Sequence, residues 1–315
     1  METVDRDLLP RGCWPVLLTP LDERGGLDLP ALARYVEWTI EQGAAGLFTA
    51  AMSSEVFELT PAERDELVAE VVRIADGRVP VVAAALSDGD PAALVGAARR
   101  VHERGAASVV LLAGDLAGAD EDETTLRVRL KAIMAALPEV DLGLYECPKP
   151  YHRLLSTELL GWAASTGRFT FFKDTSLDPQ VRKDRVAVTA GSRLRLYNAE
   201  ACSLVESVTA GFHGFSGCVA DVYPSLVARA VDLAGADAAE AGDLQRVLTA
   251  ADHGLSAHWP ASAKYVVGEM FGLGVTEISR MAPPLQPHAR EVLRQFLGLV
   301  GDLVPRLAGP GGEIS

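Results

Sequence analysis

Lys173 closes the run Phe169-Thr170-Phe171-Phe172-Lys173-Asp174-Thr175-Ser176, and it is one of only five lysines beside twenty-four arginines. Lysine is therefore not the general surface cation of this chain. An ammonium at the end of an aromatic strand loses hydration, and desolvation favours the neutral amine, a nucleophile toward carbonyl carbon. Schiff-base chemistry is the first expectation, with Phe169, Phe171 and Phe172 keeping the amine dry. The alternative is a structural lysine that reaches past the strand to water or pairs with Asp174. Such an enzyme also needs a proton shuttle, because imine formation expels water and carbon–carbon cleavage takes a proton from a hydroxyl. Tyr145 is the candidate. Alone it reads as a core tyrosine with a satisfied hydroxyl; beside Lys173 the shuttle reading leads.

The elements that must position these groups alternate along the chain. Apolar strand-like runs occupy 14–21, 46–51, 80–87, 108–113, 141–148, 169–176, 193–200 and 213–218. Helical periodicity follows over 30–42, from 61, from 91, over 123–137, from 156 and over 179–190. Thr60-Pro61-Ala62-Glu63 is a capping box with proline at the first helical position. Eight strand units in roughly 220 residues predict an α/β fold, a (β/α)₈ TIM barrel. The turn after the first strand, Thr19 to Gly26, carries no GxGxxG, which disfavours an open doubly wound sheet. The expected division is a catalytic barrel over 1–222, a C-terminal helical extension over 223–308 packed on it, and a tail over 309–315. Helices in the extension are expected at 224–235, 239–252, 257–271 and 284–305.

In such a barrel, reactive groups sit where strands end. Those ends supply Thr19, the loop Met52-Ser53-Ser54-Glu55, Ser87 with Asp88, Tyr145 with Glu146, Asn198 with Glu200, and Ser216. Strand alternation puts Gly143, Tyr145 and Cys147 on one face and Glu146 on the other. Gly143 facing inward leaves room beside the tyrosine. Tyr145 and Lys173 fall on adjacent strands, within reach of one another at the barrel mouth. The Ser53-Ser54 turn suits an anion through hydroxyls and free N–H groups, although ordinary loop serines are the competing reading.

The net charge of −14 disfavours nucleic acid or an anionic membrane as partner. Four scattered cysteines, with no CxxC, read as free thiols rather than disulfides or a zinc site. No cofactor is expected. The histidines lack ligand spacing with carboxylates, so a metal-dependent aldolase is disfavoured. The leading METVDRDLLP is acidic and without an apolar segment, and no apolar run could span a bilayer, so a cytoplasmic location is expected.

From Thr19-Pro20-Leu21 to His213-Gly214-Phe215-Ser216-Gly217, the chain resembles the dihydrodipicolinate synthase / N-acetylneuraminate lyase family of class I, lysine-dependent aldolases. Three markers in register carry the likeness: the loop ending in Glu55, the YxxP segment Tyr145-Glu146-Cys147-Pro148, and Lys173-Asp174-Thr175-Ser176. The resemblance implies that Lys173 forms an imine with a 2-oxo acid, usually pyruvate. Tyr145 would then be the acid/base, Ser53 and Ser54 would hold the substrate carboxylate, and the protein would assemble as a homodimer or homotetramer. Departures qualify this. Met52 stands where synthases carry a hydroxyl of their proton relay, and a thioether cannot pass a proton. The loop 112–118 lacks the synthase tyrosine. Pro150 occupies the position of the arginine that binds the second substrate, leaving Arg153 three residues later, with Lys149, Tyr151 and His152, as replacements. Ala201 and Cys202 replace the acidic pair of the sialic-acid lyases, leaving Glu200 and Asn198. The implied function is a lyase of aldolase or dehydratase type. The alternatives are condensation of pyruvate with aspartate semialdehyde (4-hydroxy-tetrahydrodipicolinate synthase) and a barrel that binds an oxo acid without turnover.

Overall fold

A computed structural model of the chain describes residues 8–87 and 89–307. Asp88 and the tail 309–315, both singled out above, lie outside the described residues, as do residues 1–7. Eight parallel strands appear in chain order: β1 Gly12–Cys13, β2 Leu47–Thr49, β3 Val81–Ala85, β4 Ser108–Leu112, β5 Leu142–Tyr145, β6 Phe169–Asp174, β7 Arg195–Asn198 and β8 Gly214–Phe215. They lie side by side in the order β1-β8-β7-β6-β5-β4-β3-β2. A parallel bridge between Val16 and Phe48 closes the cylinder, with the Phe48 N–H donating to the Pro15 carbonyl at 2.9 Å and the Leu17 N–H to the Phe48 carbonyl at 2.8 Å. The first strand, expected over 14–21, falls instead at Gly12–Cys13, and 14–21 contributes the seam through the Val16–Phe48 bridge. Pro15, with no N–H to offer, interrupts the ladder.

The helices begin where their caps dictate. Asp28 accepts from the Ala31 N–H at 2.9 Å, Asp122 from Thr125 at 2.9 Å and Asp178 from Gln180 at 2.8 Å. The capping box of Thr60 and Glu63 is formed. The helix Leu204–Ala210 between β7 and β8 was not anticipated from the sequence. Its serine, threonine and valines are weak helix formers, so packing and not propensity makes it. Among the extension helices, Pro224–Leu233 lies against β1 and β8, and the expected helix over 257–271 is broken into Ala261–Tyr265 and a π turn, Val266–Met270.

Aromatic rings fill the cylinder. Phe171 stacks on Tyr197 at 4.8 Å between centroids and meets Trp14 and Phe48 at 5.4 Å each. Gly143 sits where a Cβ would come within 3.1 Å of the Phe171 backbone and Cβ, so the room it leaves is taken by that residue and by Val110. The register of β5 on β6 shifts between Leu142 and Gly143, which lets Phe169 face Trp162 on an outer helix while Phe171 faces inward. Phe172 faces outward under the Arg185 guanidinium. Of the three phenylalanines expected to keep the amine dry, only Phe171 lines the interior.

At the opposite end of the barrel, His213 is pinned: Nδ1 accepts from the Leu196 N–H at 3.1 Å, and Nε2 lies 2.7 Å from Arg195 Nη1. Burial first, then the charges of Arg195 and Arg11, push its pKa down to about 4. A folded pKa below the ordinary 6.5 means its stabilisation is complete above pH 6.5 and lost as pH falls toward 4. The loss is at most about 3 kcal/mol. Denaturant melts stepped through that window should show the decline, and His213→Gln should flatten it.

Candidate active site

Lys173 and Tyr145 are direct neighbours across the β5–β6 ladder. Both side chains point inward above the aromatic floor, and the Lys173 nitrogen lies 4.5 Å from the Tyr145 ring centroid and 5.8 Å from that of Phe48. Both are buried, each 3% exposed. Among the described residues the Lys173 nitrogen has no ion-pair or hydrogen-bond partner. Asp174, the partner a structural lysine would take, points outward to Arg185. Loss of hydration drives the Lys173 pKa below its ordinary value, opposed by attraction from Cys218, Asp221, Cys147 and Glu200. Burial is also the main reason the Tyr145 phenol sits well above its ordinary range, followed by the influence of Cys147, on the same face of the chain, and Cys218.

Ser53 brings its hydroxyl to 3.9 Å from Cys218 Sγ, just past the last strand. Ser54 does something else. Its hydroxyl donates to the Leu17 carbonyl at 2.7 Å, its N–H to the Ala51 carbonyl at 3.1 Å, and its own carbonyl accepts from Thr19 Oγ1 at 2.8 Å. Ser54 and Thr19 therefore lock the loop to the barrel seam. The Glu55 N–H is also spent, on the Met52 carbonyl at 3.0 Å, which leaves the N–H groups of Met52 and Ser53 without an acceptor among the described residues. The loop is strained at both ends, with φ of 50° at Ala50 and 58° at Glu55. The buried Glu55 carboxylate holds it, accepting from Lys264 Nζ, from Ser279 Oγ at 2.8 Å and from the Arg280 N–H at 2.6 Å.

The remaining sequence candidates divide. Asn198 spends its amide on Ser203 Oγ and Ser207 Oγ at 3.0 Å each and on the Glu200 backbone, and so builds the helical turn after β7. Glu200, half-buried at the turn after β7, lies near enough for its charge to act on Lys173. Ser216 is buried, and its hydroxyl has no partner among the described residues. Arg153 donates to the carbonyls of Gly118 at 2.7 Å and Glu121 at 2.6 Å and to Tyr151 Oη at 2.8 Å, tying two loops together. Glu146 faces outward, as alternation requires, and joins Asp174 around Arg185. His152, exposed, has Nε2 2.7 Å from Thr175 Oγ1.

Sequence reasoning missed Asp221 and Cys218. Asp221 is fully buried, and its Oδ1 accepts from the Val16 N–H at 2.7 Å. The signal was present: a lone carboxylate within the apolar Cys218-Val219-Ala220-Asp221-Val222, just past the last strand. Among the described residues no three His, Cys, Asp or Glu side chains group as a metal site, and no helix is long and apolar enough to cross a membrane. The arrangement is a desolvated amine and a phenol over aromatic rings, with a thiol, a hydroxyl and a carboxyl nearby. Such a set can form, protonate and hydrolyse an imine.

Comparison with known proteins agrees with this architecture. The profile of the Dihydrodipicolinate synthetase family matches residues 9–301. A 4-hydroxy-tetrahydrodipicolinate synthase of Methylobacterium radiotolerans is 30% identical over 303 residues, covering 93% of this chain and 97% of that protein. Among solved structures, the pyruvate complex of a chloride-inhibited dihydrodipicolinate synthase from Acinetobacter baumannii superposes with a TM-score of 0.83 at 25% identity, covering 92% of this chain and 99% of the other. A dihydrodipicolinate synthase from Bacillus anthracis gives 0.84 at 21% identity, covering 92% and 99%.

Proposed function

The chain belongs to the Dihydrodipicolinate synthetase family, a family of class I aldolase-type lyases, and from that premise we propose that it acts on pyruvate or a pyruvate-derived 2-oxo acid through an imine on Lys173. It is a lyase of 2-oxo acids. The observation that carries the imine reading is the Lys173 amine itself: buried, depressed in pKa and, among the described residues, without an ion-pair or hydrogen-bond partner, above the face of Tyr145. The neutral amine adds to the C2 carbonyl, a proton passes from nitrogen to oxygen, and protonation of the resulting hydroxyl expels water to leave the protonated imine. That cation draws the electron pair of the breaking bond next to C3 into an enamine. Tyr145 shuttles the proton of the substrate hydroxyl, and the N–H groups of Met52 and Ser53 with the Ser53 hydroxyl receive the substrate carboxylate. Glu200 and Ser216 line the space for the rest of the substrate. Thr19, Ser54, Asn198 and Arg153 act by holding loops.

Borohydride reduction with pyruvate should add one pyruvate-derived mass to a peptide containing Lys173. A protein that gives no adduct with any of a panel of 2-oxo acids, where a control aldolase is trapped, would rule the reading out. Tyr145→Phe should lower kcat by about a hundred- to ten-thousandfold while the pyruvate adduct still forms. Unchanged turnover would remove the phenol from the reaction.

A second reading, condensation of pyruvate with aspartate semialdehyde, is favoured by the name of the Methylobacterium radiotolerans relative. Against it stand Met52, Pro150 and the prior engagement of Arg153. A coupled assay with both substrates separates the two. The expected cytoplasmic homodimer or homotetramer is supported by the exposed apolar Leu154 and Leu177 beside the loops after β5 and β6, and light scattering in solution tests it.

A further inference from the structure

We propose that Asp221 is a second acid of this site, delivering the proton that expels water when Lys173 condenses with its oxo acid. The proposal rests on the imine reading above. Its geometric basis is a carboxyl of which only half is explained. Oδ1 caps the Val16 N–H at the barrel seam, and one oxygen suffices for that. Oδ2 is buried and has no partner among the described residues. The hydroxyl of Ser216, one turn of chain earlier, is likewise buried and unpartnered. Phe215 packs outward against the helices, so strand alternation turns Ser216 into the barrel. Two buried polar atoms, one on a carboxyl within the electrostatic reach of Lys173, thus have no hydrogen-bond partner among the described residues. A purely structural aspartate would carry a second hydrogen bond, because an unmet buried oxygen is costly.

The groups that face Asp221 are Lys173 from β6, Tyr145 from β5, Cys13 from β1, Tyr35 from the first helix, Asp252 from the helix Ala238–Ser256, and its own neighbours Cys218 and Ser53. Burial dominates and pushes the Asp221 carboxyl well above the carboxylate range, while Ser53, Lys173 and the Val16 N–H pull it back. The same burial lowers Lys173. Burial therefore favours amine plus acid over ammonium plus carboxylate, and amine and acid are the two forms that imine formation consumes. In the step, the carbinolamine C–O bond breaks, the Asp221 proton leaves with the oxygen as water, and the resulting carboxylate remains as counter-ion to the protonated imine. Hydrolysis runs the same step backwards and restores the acid.

Asp221→Asn keeps an oxygen for Val16 and removes the proton. Rapid-quench borohydride trapping with pyruvate should show the variant reaching the wild-type adduct yield about a hundredfold more slowly, with one limb of the pH–rate profile gone. Wild-type rate and profile in that variant overturn the proposal for Asp221 and leave the imine reading standing. No adduct in the wild-type protein overturns both. If the variant does not fold, infrared difference spectra of wild-type protein carrying ¹³C-labelled aspartate decide. A protonated carboxyl band that vanishes when pyruvate binds supports the proposal, and its absence or persistence ends it.

Discussion

Lys173→Met is expected to lose more than about a thousandfold in kcat/KM and all of the borohydride-trapped adduct, while its melting temperature stays level or rises. Methionine keeps the stem that packs over Tyr145 and Phe48 and discards only the amine. That amine is a burden on the fold: burial depresses its pKa, attraction from Cys218, Asp221, Cys147 and Glu200 opposes this only in part, and among the described residues no hydrogen bond or ion pair replaces the lost hydration. The chain supplies its own control. Lys264 is also buried and also lowered by desolvation, so a depressed pKa does not by itself single out Lys173. The difference lies in occupancy. Lys264 donates to the Glu55 carboxylate and, at 2.7 Å, to the Ile278 carbonyl, which leaves no open side for an incoming carbonyl. Peptide mapping of the reduced wild-type protein should find the label on Lys173 and none on Lys264. A label on Lys264, or turnover surviving in Lys173→Met, would relocate the chemistry.

Arg185→Met should produce the largest loss of stability, about 3–5 kcal/mol, read as a shift in the denaturant midpoint. The guanidinium is fully buried between Glu146 and Asp174 and also donates to the Leu155 carbonyl at 2.7 Å. Removing it leaves two carboxylates facing one another without a cation. Glu146, already raised by burial and by Asp174, would take up a proton and ease part of the cost. The loss should therefore be larger at pH 8 than at pH 6. The same cluster sits immediately behind Tyr145 and Lys173, on alternate residues of the same strands, so activity should fall in parallel with the folded fraction. A variant as stable as the wild type would mean that the cluster is neutral to the fold.

How much of this was legible beforehand follows from which interactions are local. Strand alternation placed Glu146 opposite Tyr145 from four residues of sequence, because the pleat has a period of two whatever surrounds it. Caps such as Thr60 and Ser156 announced helix starts, because a side chain bonds to an amide two or three residues on. The same rule failed at Phe169, where a register shift between neighbouring strands reverses the facing. Leu204–Ala210 stayed hidden because its helix depends on Asn198 and on packing, not on its own composition.

The order of the chain was enough for the succession of eight strands and for the adjacency of Lys173 and Tyr145, since both depend on periodicity and on the order of parallel strands. Closure of the cylinder decided the rest. It alone brought Asp221 and Cys218, from the end of the last strand, against Ser53 after the second and Val16 after the first, residues up to 205 positions apart. It also spent Ser54, Asn198 and Arg153 on loop carbonyls and hydroxyls, which no local pattern could reveal. Hydrogen-bond partners across such separations are chosen by the folded backbone, whereas the facing of a strand residue is chosen by its neighbours in the chain.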